Sequence, residues 1–174
     1  RVSMFQQLGG FNPEVIAVEE PELSGRMARE GFQVTKIDHY MAVHDADMHQ
    51  FQQWWSRSVR SGHAINQRVF INALAEIRDG VRERNSVWFW GGLLPILGLM
   101  MTVSTYGLSL LLLFVSYFIL GIKVYRYYRK RDDNHSDALI YSFFLVLGKI
   151  PEFIGTLKFC MHKSKNHYEI IEYK

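Results

Sequence analysis

Residues 87–122 carry no charged side chain, and this run of 36 positions limits what the chain can fold into more than any other feature. As a single helix it would extend about 54 Å, well beyond a hydrocarbon core of about 30 Å. The run is therefore expected to fold as two crossings joined at Ser104-Thr105-Tyr106-Gly107, each arm being roughly 16 to 18 residues long. Arg78, Arg82 and Arg84 precede it, and Lys123, Arg126, Arg129, Lys130 and Arg131 follow it, while the turn has no positive residue. By the positive-inside rule both ends face the cytoplasm and the turn lies on the far side of the cytoplasmic membrane. Trp88 and Trp90 at one end, with Tyr125, Tyr127 and Tyr128 at the other, supply an aromatic belt.

Charge is distributed unevenly about this run. Up to Ser86 there are 10 Lys/Arg against 11 Asp/Glu, and beyond it 10 against 6, so the net +3 arises in the C-terminal half. That imbalance points to an anionic lipid surface rather than nucleic acid. The single cysteine, Cys160, excludes an internal disulfide and fits a reducing compartment. A first residue of Arg1, with no methionine and no signal peptide, reads as part of something longer.

The N-terminal half is polar and punctuated. Leu8-Gly9-Gly10-Phe11-Asn12-Pro13 predicts a tight turn that permits close backbone approach. Pro21 suits the first turn of a helix, Leu23 and Met27 share a face, and Gly31 offers a stop, which predicts a helix of about ten residues. Residues 32–37 and 40–43 are rich in β-favouring side chains and predict two short strands ending at His44. Asp47 and Gln50 have the form of a capping box, so a second helix is expected to begin there. Along it Phe51, Trp55 and Val59 recur at helical spacing, Gly62 is a possible interruption, and the stripe continues through Ile65, Val69 and Ile77. A basic, Trp-bearing amphipathic helix of this kind suits a membrane interface. After the polar linker 132–137, residues 138–161 are apolar but broken by Lys149, Pro151, Glu152 and Lys158, which predicts a kinked interfacial helix rather than a third crossing.

Three groups of residues could carry chemistry. Glu19, Glu20 and Glu22 have an ordinary role as acids meeting the positive end of a helix dipole. The functional alternative makes Glu20 a general base that takes a proton from an acceptor hydroxyl. His44, Asp45, Asp47 and His49 offer nitrogen and oxygen donors for a divalent cation, although they match no closed zinc spacing. Trp54 and Trp55 are interfacial anchors or a stacking platform for a sugar ring, and Arg57 and Arg60 are a solvated face, a headgroup contact or a diphosphate clamp. Nucleophilic serine motifs, phosphate-binding glycine loops and Cys/His clusters are absent from the sequence.

In order, Leu8-Gly9-Gly10-Phe11-Asn12, Glu19-Glu20-Pro21-Glu22-Leu23-Ser24-Gly25-Arg26-Met27, Gly31-Phe32, His44-Asp45 and the segment from Gln53 to Ala64 resemble the C-terminal half of a bacterial membrane-anchored family-2 glycosyltransferase. The resemblance implies an α/β fragment, the C-terminal part of a GT-A fold, over residues 1–48. Amphipathic interfacial helices over 49–86 would follow, then a transmembrane hairpin over 87–123 and a basic tail over 124–174 containing the interfacial helix. It further implies that Glu20, beside Glu19, is the catalytic base, with Glu where the family more often has Asp. Gly9 and Gly10 would lie near the acceptor and donor sugars, and His44 would be the metal ligand. Gln53-Trp54-Trp55-Ser56-Arg57 is only a relative of the Gln-x-x-Arg-Trp motif found under the acceptor channel of processive members. Gln53, Trp54, Trp55, Arg57 and Arg60 are thus implied to bind the acceptor. The implied reaction is inverting transfer from a nucleotide-sugar to a lipid-linked or cell-envelope acceptor, assisted by Mg²⁺ or Mn²⁺. The nucleotide-binding half would lie upstream, leaving these residues inactive alone. The alternative from a different class is a non-catalytic membrane anchor or scaffold.

Overall fold

The computed structural model describes residues 2–12, 19–33, 35, 48–74, 80–131 and 134–164. In chain order they form α1 (Val2–Gln7), α2 (Glu19–Arg29), α3 (Phe51–Leu74), α4 (Val81–Val87), a π-helical segment (Trp88–Leu93), α5 (Leu94–Met100), α6 (Leu108–Arg129), α7 (His135–Leu147) and α8 (Lys149–Ser164). Every regular element among the described residues is a helix, so the expected α/β fragment of a GT-A fold is corrected to an all-helical arrangement. Most of the two expected strands, with His44, lies outside the described residues, while Phe32, Gln33 and Thr35 are in no strand. The physical reason is that β-favouring composition describes a surface to be packed and does not by itself provide a pairing partner. Phe32 completes a helix end instead: its N–H donates to the Met27 carbonyl at 3.0 Å, and that of Gly31, at φ 78°, to Ala28 at 3.2 Å.

The core is organised by α8, against which α3, α4, the π-helical segment and α7 all pack. Its closest partner is α3, and the crossing depends on two glycines. A Cβ on Gly62 would overlap the carbonyl of Glu152, and one on Gly155 would overlap the carbonyl of Val59 and lie 2.8 Å from the His63 nitrogen. Only hydrogens fit between these backbones. Gly62, expected as a possible interruption, therefore leaves α3 unbroken and serves as a contact point. Beside the crossing, the Asn66 side-chain amide donates to the Gly62 carbonyl at 2.9 Å and to the Thr156 hydroxyl at 2.7 Å. Thr156 in turn donates to the Glu152 carbonyl at 3.1 Å. Val59, Ala64, Val69 and Phe159 fill the remainder of the interface as buried side chains. The glycine pattern recurs where Gly91 and Gly92 of the π-helical segment meet Lys149 and the Phe153 ring.

The charge-free run folds back on itself as its length demands. Residues 101–107 form the turn, closed by Tyr106 at φ 50° and Gly107 at φ 84°, and α5 returns against α6. The first arm is helical throughout but widens at Trp88–Leu93, where the N–H of Leu94 pairs with the Phe89 carbonyl five residues back. In that register the Trp90 carbonyl would look to residue 95, which is proline and has no N–H. The Tyr117 hydroxyl of α6 donates to this carbonyl instead. Nearer the turn, Ser109 donates to the Gly98 carbonyl at 2.8 Å. The two arms are thus joined by side-chain donors at both levels.

The helix expected over 138–161 breaks at Gly148 rather than at Pro151, which falls in the first turn of α8 where a missing N–H costs no bond. α6 and the run His135–His162 are long and apolar enough to cross a membrane. α6 packs on α7 and α5 yet has no fully buried residue, and its outer face is apolar, with Phe114 71 % exposed and Phe118 61 %, a band that marks contact with a membrane or another apolar surface. The chain is membrane-associated. Because the α3–α8 crossing tolerates no Cβ, Gly155→Ala is expected to lower stability by about 3 kcal/mol. Denaturant unfolding in detergent measures this, and a change within error of zero would show that the backbones can separate at no cost.

Candidate functional site

The Gly9-Gly10 turn and the acidic helix are one unit. α1 ends in a cap in which Gly9, at φ 75°, donates to the Gln6 carbonyl at 3.0 Å and Gly10, at φ 72°, donates to Phe5 at 2.9 Å. The turned carbonyls then face Arg26 of α2. Its guanidinium donates to the Leu8 carbonyl at 2.5 Å and the Gly10 carbonyl at 2.6 Å. From the same fork it reaches both carboxylate oxygens of Glu22, at 2.8 and 2.9 Å. Glu22 is 2 % exposed, so this bidentate pair compensates a buried charge. Sequence reasoning assigned no role to Arg26, although Glu22 and Arg26 stand at the i, i+4 spacing that signals a helix-surface pair.

The three glutamates consequently divide. Glu22 is committed to structure, whereas Glu19 and Glu20 are exposed in the first turn of α2, on the positive end of its dipole. A carboxylate held there is oriented by the helix and accessible to a substrate hydroxyl. Pro21 follows them, between Glu20 and Glu22, in the same first turn.

The residues expected to bind the acceptor lie at the start of α3, which α2 touches. Gln53 caps this helix: its side-chain oxygen accepts from the N–H groups of His49 at 2.9 Å and Gln50 at 3.0 Å. The cap expected at Asp47 lies outside the described residues, and the reach back comes from Gln53 rather than Gln50. Trp54 sits edge-on to Phe144 of α7 with centroids 5.1 Å apart, and Phe51 lies 5.1 Å from Trp54 and 6.0 Å from Trp55. Arg57 is half-buried and donates weakly to the Met48 sulfur at 3.9 Å, and Arg60, one turn on, is also half-buried. Of these, Met48, Phe51, Trp54 and Phe144 line a groove of about 520 Å³ between α3 and α7, whose polar lining comprises His49, Gln50, Ser58 and Glu152 together with Tyr141; Gln53, Trp55, Arg57 and Arg60 are not in its lining. Structure thus brings Gly9 and Gly10 to α2, and Gln53, Trp54, Trp55 and Arg57 to one helix end.

The donors expected for a divalent ion fall largely outside the described residues. Among the described residues no three His, Cys, Asp or Glu side chains come together, and Glu22 is already paired. His44, Asp45 and Asp47 lie outside the described residues.

Further along α3, His63 is fully buried, edge-on to Phe159 at 5.3 Å and 5.5 Å from the His162 ring. Neither of its ring nitrogens has a hydrogen-bond partner among the described residues. Burial, reinforced by the neighbouring His162 and Lys158 charges, pushes its pKa down to about 4.

In its described part the chain is a helical membrane-associated protein with an acidic helix start lashed to a glycine turn. Compared with known proteins, it matches no family profile, no curated protein and no solved structure.

Two outcomes follow from this geometry. Arg26→Ala strands the Glu22 carboxylate and two carbonyls, and is expected to cost about 2 kcal/mol and to remove hydrogen-exchange protection from residues 8–11. Arg26→Lys should restore little, because one ammonium cannot span four acceptors in that plane. Separately, an unfolded chain protonates His63 near its ordinary value of 6.5, whereas the folded one resists until about 4. This group therefore costs nothing above pH 6.5, and lowers stability as pH drops toward 4, by on the order of 3 kcal/mol. His63→Phe should flatten the profile in that window; an equally steep loss in the variant would exonerate His63.

Proposed function

We propose that this chain forms the acceptor side of a membrane-bound glycosyltransferase, passing a sugar from a nucleotide-sugar to a lipid-linked or cell-envelope glycan acceptor with Glu20 as general base. The observation that supports this most is the Arg26 fork, which fixes the Leu8-Gly9-Gly10 turn against the helix bearing exposed Glu19 and Glu20. Two motif segments separated in sequence thereby meet at Arg26, on the helix whose first turn carries the exposed Glu19 and Glu20. In this reading Glu20 accepts the proton of the acceptor hydroxyl as its oxygen attacks the anomeric carbon and the nucleoside diphosphate leaves with inversion. Glu19 keeps the local field negative, and Trp54, Trp55, Arg57 and Arg60 at the start of α3 orient the acceptor where α3 meets the apolar helices. The cations flanking the hairpin favour the cytoplasmic membrane with this site on the cytoplasmic face. A membrane anchor or scaffold without catalysis is the second reading, favoured by the structural use of Glu22 and Gln53.

A single substitution separates them. In membranes containing the intact protein, Glu20→Gln is expected to lower the transfer rate at least about a hundredfold with donor binding retained, since a general base contributes on that scale. Glu22→Gln should reduce folded yield instead. Undiminished turnover by Glu20→Gln would remove Glu20 from the chemistry, and no transfer by the unmodified protein with any nucleotide-sugar would favour the scaffold.

A further inference from the structure

α6 and α7 run antiparallel, joined at one end by the Tyr125 hydroxyl on the His135 Nδ1 at 2.7 Å and by Tyr128 stacked on Tyr141 at 5.1 Å. Below that junction the helices diverge around a cleft of about 620 Å³, within the roughly 300–1,000 Å³ typical of ligand sites. Its walls are Tyr117, Phe118, Ile122, Leu139, Phe143 and Val146. The hydroxyls that border it are turned to protein partners: Tyr117 to the Trp90 carbonyl, Tyr125 to His135, and Ser142 to the Leu139 carbonyl at 2.8 Å. What the cleft presents to an occupant is therefore hydrocarbon and ring surface. Gly121 lies in its wall, and a Cβ placed there would meet no atom within 4 Å. That glycine is unlike those at the core crossings, because no protein group occupies the space it leaves.

Ile122 also lines a second, adjoining recess on α6, bordered by Lys123, Arg126, Tyr127 and Lys130. The three cations stand at i, i+3 and i+7, on one helix face, and all are exposed. They begin where the uncharged stretch of α6 ends, at the level where a membrane passes from acyl chains to phosphates. An apolar slot inside the bilayer and a cationic recess at headgroup height, sharing one residue, match the two halves of one molecule.

We propose that the α6–α7 cleft is a binding site for an anionic phospholipid taken from the bilayer. An acyl chain lies over Gly121 between Phe118 and Phe143, and the phosphate is held by Lys123, Arg126 and Lys130. The site is independent of the transfer reaction, since none of its residues belongs to the acidic helix or the start of α3.

The test is native mass spectrometry of the full chain in detergent, titrated with phosphatidylglycerol or phosphatidylcholine of the same acyl composition. The unmodified protein is expected to retain phosphatidylglycerol roughly a hundredfold more tightly, as three interfacial cations would produce. Gly121→Leu projects a branched side chain into the slot from a Cβ that meets no atom within 4 Å, and should abolish retention of either lipid, whereas Gly121→Ala should preserve it. Neutralising Lys123, Arg126 and Lys130 together to Gln should remove the preference while leaving weak retention of both lipids. Equal binding of the two lipids by the unmodified chain, or undiminished phosphatidylglycerol binding by Gly121→Leu, would overturn the proposal. So would a lipid-free dimer dissociated by Gly121→Leu, because a second copy would then be the occupant.

Discussion

The approach of two backbones at Gly62 and Gly155 is the contact on which the other elements depend. Because neither residue has a Cβ, α3 and α8 meet carbonyl to helix, with Asn66 and Thr156 satisfying the polar groups alongside. This docks an amphipathic helix of the polar half onto a helix of the apolar half. From there α8 also receives the π-helical segment through Gly91 and Gly92, so the apolar hairpin and the polar segment share one support. Small residues at helix crossings are what close packing in or near lipid requires, where burial of apolar surface supplies little drive between helices.

A second constraint acts at the N-terminal end. Arg26 has more acceptors around it than a surface ion pair would offer, since it serves Glu22 and the two carbonyls of the glycine turn together. The planar guanidinium holds the turn after α1 against α2, and the acids Glu19 and Glu20 of the first turn are exposed. The hairpin has its own device of the same sort. Pro95 deprives the Trp90 carbonyl of a partner in the widened helix, and Tyr117 from the facing arm fills that role.

Much of this was legible because it depends on local periodicity or on a count. A charge-free stretch too long for one crossing implies a reversal, and Ser104-Thr105-Tyr106-Gly107 marks it because a left-handed turn favours glycine. The helix over α2, with Pro21 early and Gly31 late, follows from capping chemistry alone. The α/β expectation failed for the converse reason: residues 32–37 have β-favouring composition, but a strand exists only with a neighbour, and propensity cannot supply one. Gln53 read as a ligand residue because of its motif-like spacing, yet its side chain caps α3, a competition between roles that sequence cannot resolve.

By itself, then, the sequence determined that the chain reverses within an apolar band, where the acidic helix begins and ends, and that acids gather at its start. Those outcomes depend on neighbours a few residues apart. Tertiary structure alone decided that Gly62 joins rather than breaks a helix, that Glu22 is buried while Glu19 and Glu20 are exposed, and that α6 and α7 part around Gly121. Each of these turns on which surface arrives from a distant part of the chain. A glycine has the same sequence letter whether a backbone presses on it or open space lies beside it.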